Sequence, residues 1–208
     1  MKEIVLNHPM ITHKLSILRS VETSSKEFRE IISELSMLLC YEATRNITIK
    51  ETIINTPLEE YKTNKIDKEK ITFVAILRAG LSMVDGIIKM MPTAKIGHIG
   101  LCRNEETLKP ELYYYKVPNN IENTEVFILD PMLATGGSAI ETINKLKKDG
   151  VKKINFLCII ASPEGIANIK QTHNDVQIYC TCVDRCLNDK GYILPGLGDA
   201  GDRLYDTK

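Results

Sequence analysis

The chain has 208 residues, and its 27 basic and 27 acidic side chains cancel to a formal net charge of zero. That length suits one sizeable domain, and the even charge gives no reason to expect nucleic acid or an anionic membrane as the main partner. No apolar run approaches the roughly 18 residues of a membrane-spanning helix, and Pro9 interrupts the short apolar start before it can act as a secretory signal. A cytoplasmic protein is expected.

In chain order, residues 25–43 place Phe28, Ile31, Ile32, Leu35, Leu38 and Leu39 at helical spacing and predict an amphipathic helix. Residues 1–45 read as a helical extension of the domain. Residues 46–54 are rich in β-branched side chains and predict a strand. Residues 71–77 are almost unbroken apolar, as a parallel strand covered on both faces requires, and the helix over 81–91 is stopped by Pro92. Residues 95–101, 126–129, 154–160 and 176–179 complete the strands, with helices starting at Ser138 and Pro163 between the last three. The alternation predicts an α/β fold, a mostly parallel twisted sheet flanked by helices.

Two segments break the alternation. Residues 103–123 are long and polar, with Tyr113, Tyr114 and Tyr115 between Pro110 and Pro118, and read as a protruding arm, a lid or a partner contact. From residue 188 the chain is dense in Gly and Asp and reads as a shaped loop and tail. Of the six cysteines, Cys180, Cys182 and Cys186 cluster but lack the paired C-x2-C knuckles of structural zinc sites. Cys158 and Cys180 sit in apolar strand-like runs as small hydrophobes. Reduced thiols are expected, with no dedicated metal site.

The segment with the most chemistry is 126–138. Four apolar residues end at Asp130, and Thr135-Gly136-Gly137-Ser138 then leads into a helix closed by Gly150. Two glycines let the main chain approach a ligand, the helix N-terminus favours an anion, and Thr135 and Ser138 add hydroxyls. Ser138 and Glu141 match a capping box. An acid at the end of a strand can accept hydrogen bonds from vicinal ribose hydroxyls. The whole reads as a cradle for a phosphorylated sugar. Arg78 follows the most apolar strand and offers a planar fork of donors for a diphosphate. Residues 196–201 match G-x-G-x-x-G, but without the βαβ unit and the later acid of a dinucleotide site that match is a decoy.

Asp130-Pro131-Met132-Leu133-Ala134-Thr135-Gly136-Gly137-Ser138 resembles the phosphoribosyl-diphosphate signature of uracil phosphoribosyltransferases. Pro131 stands where more general phosphoribosyltransferases carry a second acid. The resemblance extends to Leu77-Arg78-Ala79-Gly80-Leu81, to residues 103–107, to Ala161-Ser162-Pro163-Glu164-Gly165 and to residues 191–202. It implies transfer of phosphoribose from 5-phosphoribosyl 1-diphosphate (PRPP) to uracil, giving uridine monophosphate and diphosphate. It also implies PRPP binding by Arg78, Arg103, the whole run Asp130 to Ser138, and Asp199, with Asp130 and Arg78 the catalytic pair. Uracil would lie against Ile193, Gly198, Asp199 and Ala200 in a C-terminal hood. Magnesium bound mainly through the diphosphate, homo-oligomers (dimers or tetramers) and a GTP effector are further implications. The residues identify no general base. Lys109 and Lys116 read as solvated, and His98 as packed. Three other readings stand beside this one: a uridine-nucleotide-sensing RNA-binding regulator, which would need a basic face; an inactive partner subunit; and a purine-specific transferase, which Pro131 disfavours.

Overall fold

A computed structural model of the chain describes residues 3–103 and 110–207, the side chains of Arg103 and Pro110 excepted. The elements in order are β1 (Glu3–Val5), α1 (Pro9–Arg19), α2 (Ser25–Ala43), β2 (Ile49–Asn55), β3 (Glu60–Ile66), β4 (Ile71–Leu77), α3 (Leu81–Met90), β5 (Lys95–Arg103) and β6 (Pro110–Lys116). They continue with β7 (Glu125–Leu129), β8 (Met132–Leu133), α4 (Gly137–Lys148), β9 (Lys153–Ala161), α5 (Pro163–Thr172), β10 (Gln177–Val183), β11 (Cys186–Leu187), β12 (Ile193–Leu194) and α6 (Ala200–Tyr205).

An eight-stranded sheet runs β1-β10-β9-β7-β4-β5-β6, with β8 beside β9. Its neighbours pair in parallel except β5 and β6. Residues 71–77 are apolar because both sheet faces are covered. Phe73 and Ala75 point into one core with α1, α2 and α3, whereas Val74 and Ile76 point into the other with α4 and α5. Phe73 stacks on Phe127 across the strands, ring centroids 5.1 Å apart. Each such fully buried side chain contributes roughly 1.5–3 kcal/mol.

Three expectations change. Within residues 1–45, read as helical, Glu3–Val5 is an edge strand on β10, and both helices belong to the core. The strand expected over 46–54 is β2, but it pairs with β3 in a separate two-stranded hairpin outside the main sheet. The polar segment 103–123 supplies β6, antiparallel to β5. The last residues of that hairpin, Leu101, Cys102 and Arg103 with their partners, run past the end of β4. Residues 104–109, including Lys109 and most of the 103–107 motif, lie outside the described residues.

Candidate active site

From β4 the chain steps out to β5 and β6, then returns to β7 on the other side of β4. At such a switch point the loops diverge and leave a crevice at the carboxyl ends of the strands. Arg78 follows β4 and Asp130 follows β7, so the two stand on either side of it. Gly80 brings their turns together. A Cβ there would lie 2.3 Å from the Leu129 carbonyl oxygen, so only glycine allows the approach. The Leu77–Arg78 and Leu194–Pro195 peptides are cis.

Asp130 is part-buried, and its carboxylate accepts one hydrogen bond, from the Met132 amide at 3.3 Å. Loss of water around the carboxyl pushes its pKa up to about 7, the Met132 bond acting in the opposite direction. Pro131 is buried with its carbonyl turned to the sheet, accepting from the Ile159 and Ile160 amides at 3.0 and 3.1 Å. Met132 and Leu133 then pair with Ile160 and Ala161. Ser162 ties the turn from behind: its amide reaches the Leu133 carbonyl (2.8 Å) and its hydroxyl the Ala134 carbonyl (2.6 Å). Asn168 holds the Thr135 carbonyl at 2.9 Å.

Gly136 has φ +82° and enters α4 directly. The helix therefore starts at Gly137 and not at Ser138, and the expected Ser138–Glu141 capping box does not form: the N-cap is Gly136, with no side-chain cap. The physical consequence favours a ligand. First-turn amides have no partner within the helix, and the side chain that reaches the helix start, Thr135 Oγ1, accepts from the Gly137 amide only at 3.5 Å. They border a cavity of about 90 Å³ lined by Asp130, Met132 to Ala134 and Thr135 to Ala139, at the positive end of the helix dipole.

Met132 and Ala134 also line a second cavity of about 160 Å³, whose other wall is Gly191 to Ile193 and Gly198 to Ala200. So the structure brings the predicted cradle and the predicted hood, more than fifty residues apart in sequence, to one place. Gly198 has φ +83°, and Asp199 caps α6, accepting from the Asp202 amide at 2.9 Å. The G-x-G-x-x-G match thus opens only a short terminal helix. Arg78 is exposed and outside these two cavities. Its guanidinium lies 5.9 Å from the centre of the Tyr205 ring, and its carbonyl accepts from the Tyr205 hydroxyl at 3.1 Å. A Cβ on Gly201 would sit 3.1 Å from Asp199 Oδ1 and 3.7 Å from Arg78 Nη2, which puts the two charged groups on one side of that helix turn. Arg103 closes β5 opposite Pro110.

A larger cavity of about 680 Å³ adjoins the cradle, between Cys102 of the β5–β6 hairpin and Asn188 to Gly191. Asn188, Asp189 and Lys190 open the segment read as a shaped loop and tail, but none of them is a predicted site residue. They read as a polar turn, and only tertiary packing sets them beside Thr135. Tyr205, the ring under Arg78, is likewise silent in sequence.

Residues 5–207 match the family profile described as uracil phosphoribosyltransferase. The chain belongs to the uracil phosphoribosyltransferase family. A uracil phosphoribosyltransferase of Bacillus pumilus is 52% identical over 207 residues, covering 100% of this chain and 99% of the relative. One of Clostridium botulinum is 53% identical over the same length and coverage. Among solved structures, the AQ2163 protein from Aquifex aeolicus superposes with a TM-score of 0.93 at 42% identity, covering 100% of this chain and 99% of that one. The family assignment makes the protein a pentosyltransferase, and nothing in these relatives supports the RNA-binding alternative.

Proposed function

We propose that the crevice binds PRPP across Arg78, Asp130 and the 135–138 turn, with uracil in the cavity beneath residues 191–200. The observation that carries the assignment is that single cavity of about 160 Å³, shared by Met132 and Ala134 of the cradle and Gly198 to Ala200 of the hood. It has room for a one-ring base, next to the place where the ribose would lie. Asp130 holds the ribose hydroxyls, and hydrogen bonding to them stabilises its carboxylate in place of lost water. The first-turn amides at Gly137 and Ser138 take the 5-phosphate. Arg78 and Arg103 steady the departing diphosphate. Main-chain groups at Ile193, Gly198 and Ala200 match the alternating carbonyl and N–H edge of uracil, and cytosine leaves those groups unpaired. Asp199 reaches toward both substrates. As the carbon–nitrogen bond to uracil forms and the bond to diphosphate breaks, the residues contribute placement and charge stabilisation.

Magnesium fits this donor set only as a passenger of the substrate. Among the described residues Asp130 has no basic partner in its hydrogen bonds, and no group of three His, Cys, Asp or Glu could hold a metal. When bound with PRPP the ion supplies charge neutralisation at the diphosphate.

The proposal includes a homo-oligomer. Among the described residues the β2–β3 hairpin pairs only with itself, and Ile49, Ile53, Tyr61 and Ile66 are exposed along it, with Leu58 95% exposed at its tip. A free hairpin is marginal in water, and a second copy would cover that apolar surface. A cytoplasmic setting suits six free thiols. Among the described residues no helix is long and apolar enough to cross a membrane. The deciding experiment is a panel of nucleobases assayed with PRPP and magnesium, with and without GTP. Activity with uracil alone is expected; turnover of purines or cytosine at the uracil rate refutes the base-site assignment. Stimulation in the GTP arm supports an effector role.

A further inference from the structure

The last turn of α1 carries a side chain that no step above uses. Arg19 Nη2 donates to Asp184 Oδ1 at 2.6 Å and Nη1 to Oδ2 at 2.8 Å, and Asp184 is only 6% exposed. The same Nη1 donates to the Gly196 carbonyl at 2.6 Å, and the same Oδ2 accepts from the Gly196 amide at 2.9 Å. Both main-chain polar groups of one glycine are thus taken by the two members of one ion pair. Gly196 has φ +64°, and a Cβ there would lie 2.1 Å from the Ile193 carbonyl oxygen, so only glycine fits the turn at this position. The next carbonyl, of Leu197, accepts from Arg203 Nη1 at 2.9 Å. Arg203 also donates to the carbonyls of Leu18 and Ser20, at 2.7 and 2.5 Å, on either side of Arg19.

These bonds add direction to a hood whose Ile193, Leu197, Ala200 and Leu204 are already buried in the core. Among the described residues its only strand pairing is β11 with β12, two residues each and separate from the main sheet. Charge-assisted hydrogen bonds are stronger and more directional than neutral ones, and a guanidinium can serve a carboxylate and a carbonyl together where an ammonium is a single point charge.

We propose that Arg19 and Asp184 are positioning residues for base recognition: without touching substrate, they set residues 193–200 at the height where main-chain groups meet the pyrimidine edge above Met132 and Ala134. The proposal rests on the assignment of that loop to uracil. It extends the base site to a helix more than 170 residues upstream, since Arg19 and Gly196 are separated by 177 positions.

Steady-state kinetics of Arg19→Lys tests it. The expected result is a rise in KM for uracil on the order of tenfold to a hundredfold, the scale of an ångström-sized misplacement, with KM for PRPP and kcat at saturation unchanged. Because losing the guanidinium's hydrogen bonds can simply unfold the hood, the paired variant Arg19→Met with Asp184→Leu is measured beside it. That variant is expected to recover the thermal midpoint and still show the raised uracil KM. A paired variant with parental KM for uracil overturns the proposal, as do equal rises for both substrates in Arg19→Lys. Gly198→Ala separates the two layers. A raised uracil KM there with none in Arg19→Lys rejects the positioning role alone, and an unchanged KM there rejects the loop assignment itself.

Discussion

Replacing Asp130 with asparagine should make the substrate-free protein more stable and the enzyme nearly inactive. Loss of water lifts the carboxyl from its ordinary 3.8 to about 7. Each tenfold in proton affinity is about 1.4 kcal/mol, so the ionised carboxylate costs the empty fold about 4 kcal/mol, trimmed by local relaxation to about 2–4 kcal/mol. The sign follows from the protons. Between pH 3.8 and about 7 the folded chain keeps a proton that the unfolded chain releases, so stability falls as pH rises through that window and the cost is complete above it. Asparagine carries no such cost, and its side-chain oxygen can still accept from the Met132 amide. The variant is therefore expected to gain about 2–4 kcal/mol over the parent at about pH 8, less at about pH 6 and almost nothing near pH 4. Urea unfolding at those three values reads the difference. Turnover at about pH 8 should fall by about a hundredfold or more, because a neutral amide cannot replace a carboxylate facing ribose hydroxyls and developing positive charge. A variant less stable than the parent at the high pH, or a difference that ignores pH, refutes the desolvation argument. Near-parental turnover refutes the ribose assignment.

Arg78→Ala should raise KM for PRPP on the order of tenfold or more while leaving uridine monophosphate binding unchanged, since that product carries no diphosphate; calorimetric titration with both ligands checks this, and equal losses would count against a diphosphate role. Gly80→Ala should cost at least about 2 kcal/mol by thermal unfolding, because the new methyl meets the Leu129 carbonyl at 2.3 Å and overpacking of that kind typically costs about 1–3 kcal/mol. Tyr115→Phe removes the hydroxyl that donates to Asp149 at 2.5 Å and joins β6 to the end of α4; a loss of about 1 kcal/mol is expected, read by denaturant midpoint. Ile53→Lys on the β2–β3 hairpin should shift the protein to monomers in light scattering, and an unchanged oligomer would show that this face is not the contact.

The central layer was readable because its signals are pure. Residues 71–77 are apolar at every position but Thr72, and residues 25–43 keep one helical stripe, so both elements fall where their patterns place them. What escaped lies where local signals are weak or outvoted. β3 is Glu-Tyr-Lys-Thr-Asn-Lys-Ile, almost wholly exposed, and shows as a strand only through its pairing with β2. The capping box at Ser138 and Glu141 is a valid local pattern, but Gly136 adopts a left-handed conformation that starts the helix before Ser138. Of the cradle, Asp130 and the glycine turn were visible as a strand end and a Gly-Gly pair. Arg19 and Asp184 had no signature, being 165 positions apart and ordinary in their own neighbourhoods. Their meeting is a product of tertiary structure alone.

The contact at Gly80 bears on redesign. Because the turn after β4 rests main chain against main chain on the end of β7, the two turns that carry Arg78 and Asp130 sit at a separation that only glycine at position 80 permits. The half of the crevice that chooses the base is held by side chains, with Arg19 and Arg203 on its main chain and Ile193, Leu197, Ala200 and Leu204 in the core. A library seeking new base preference should therefore keep Arg19, Asp184 and the glycines of the loop, which set its height and shape, vary the side chains of residues 192–194, and leave 78–80 and 129–138 as they are.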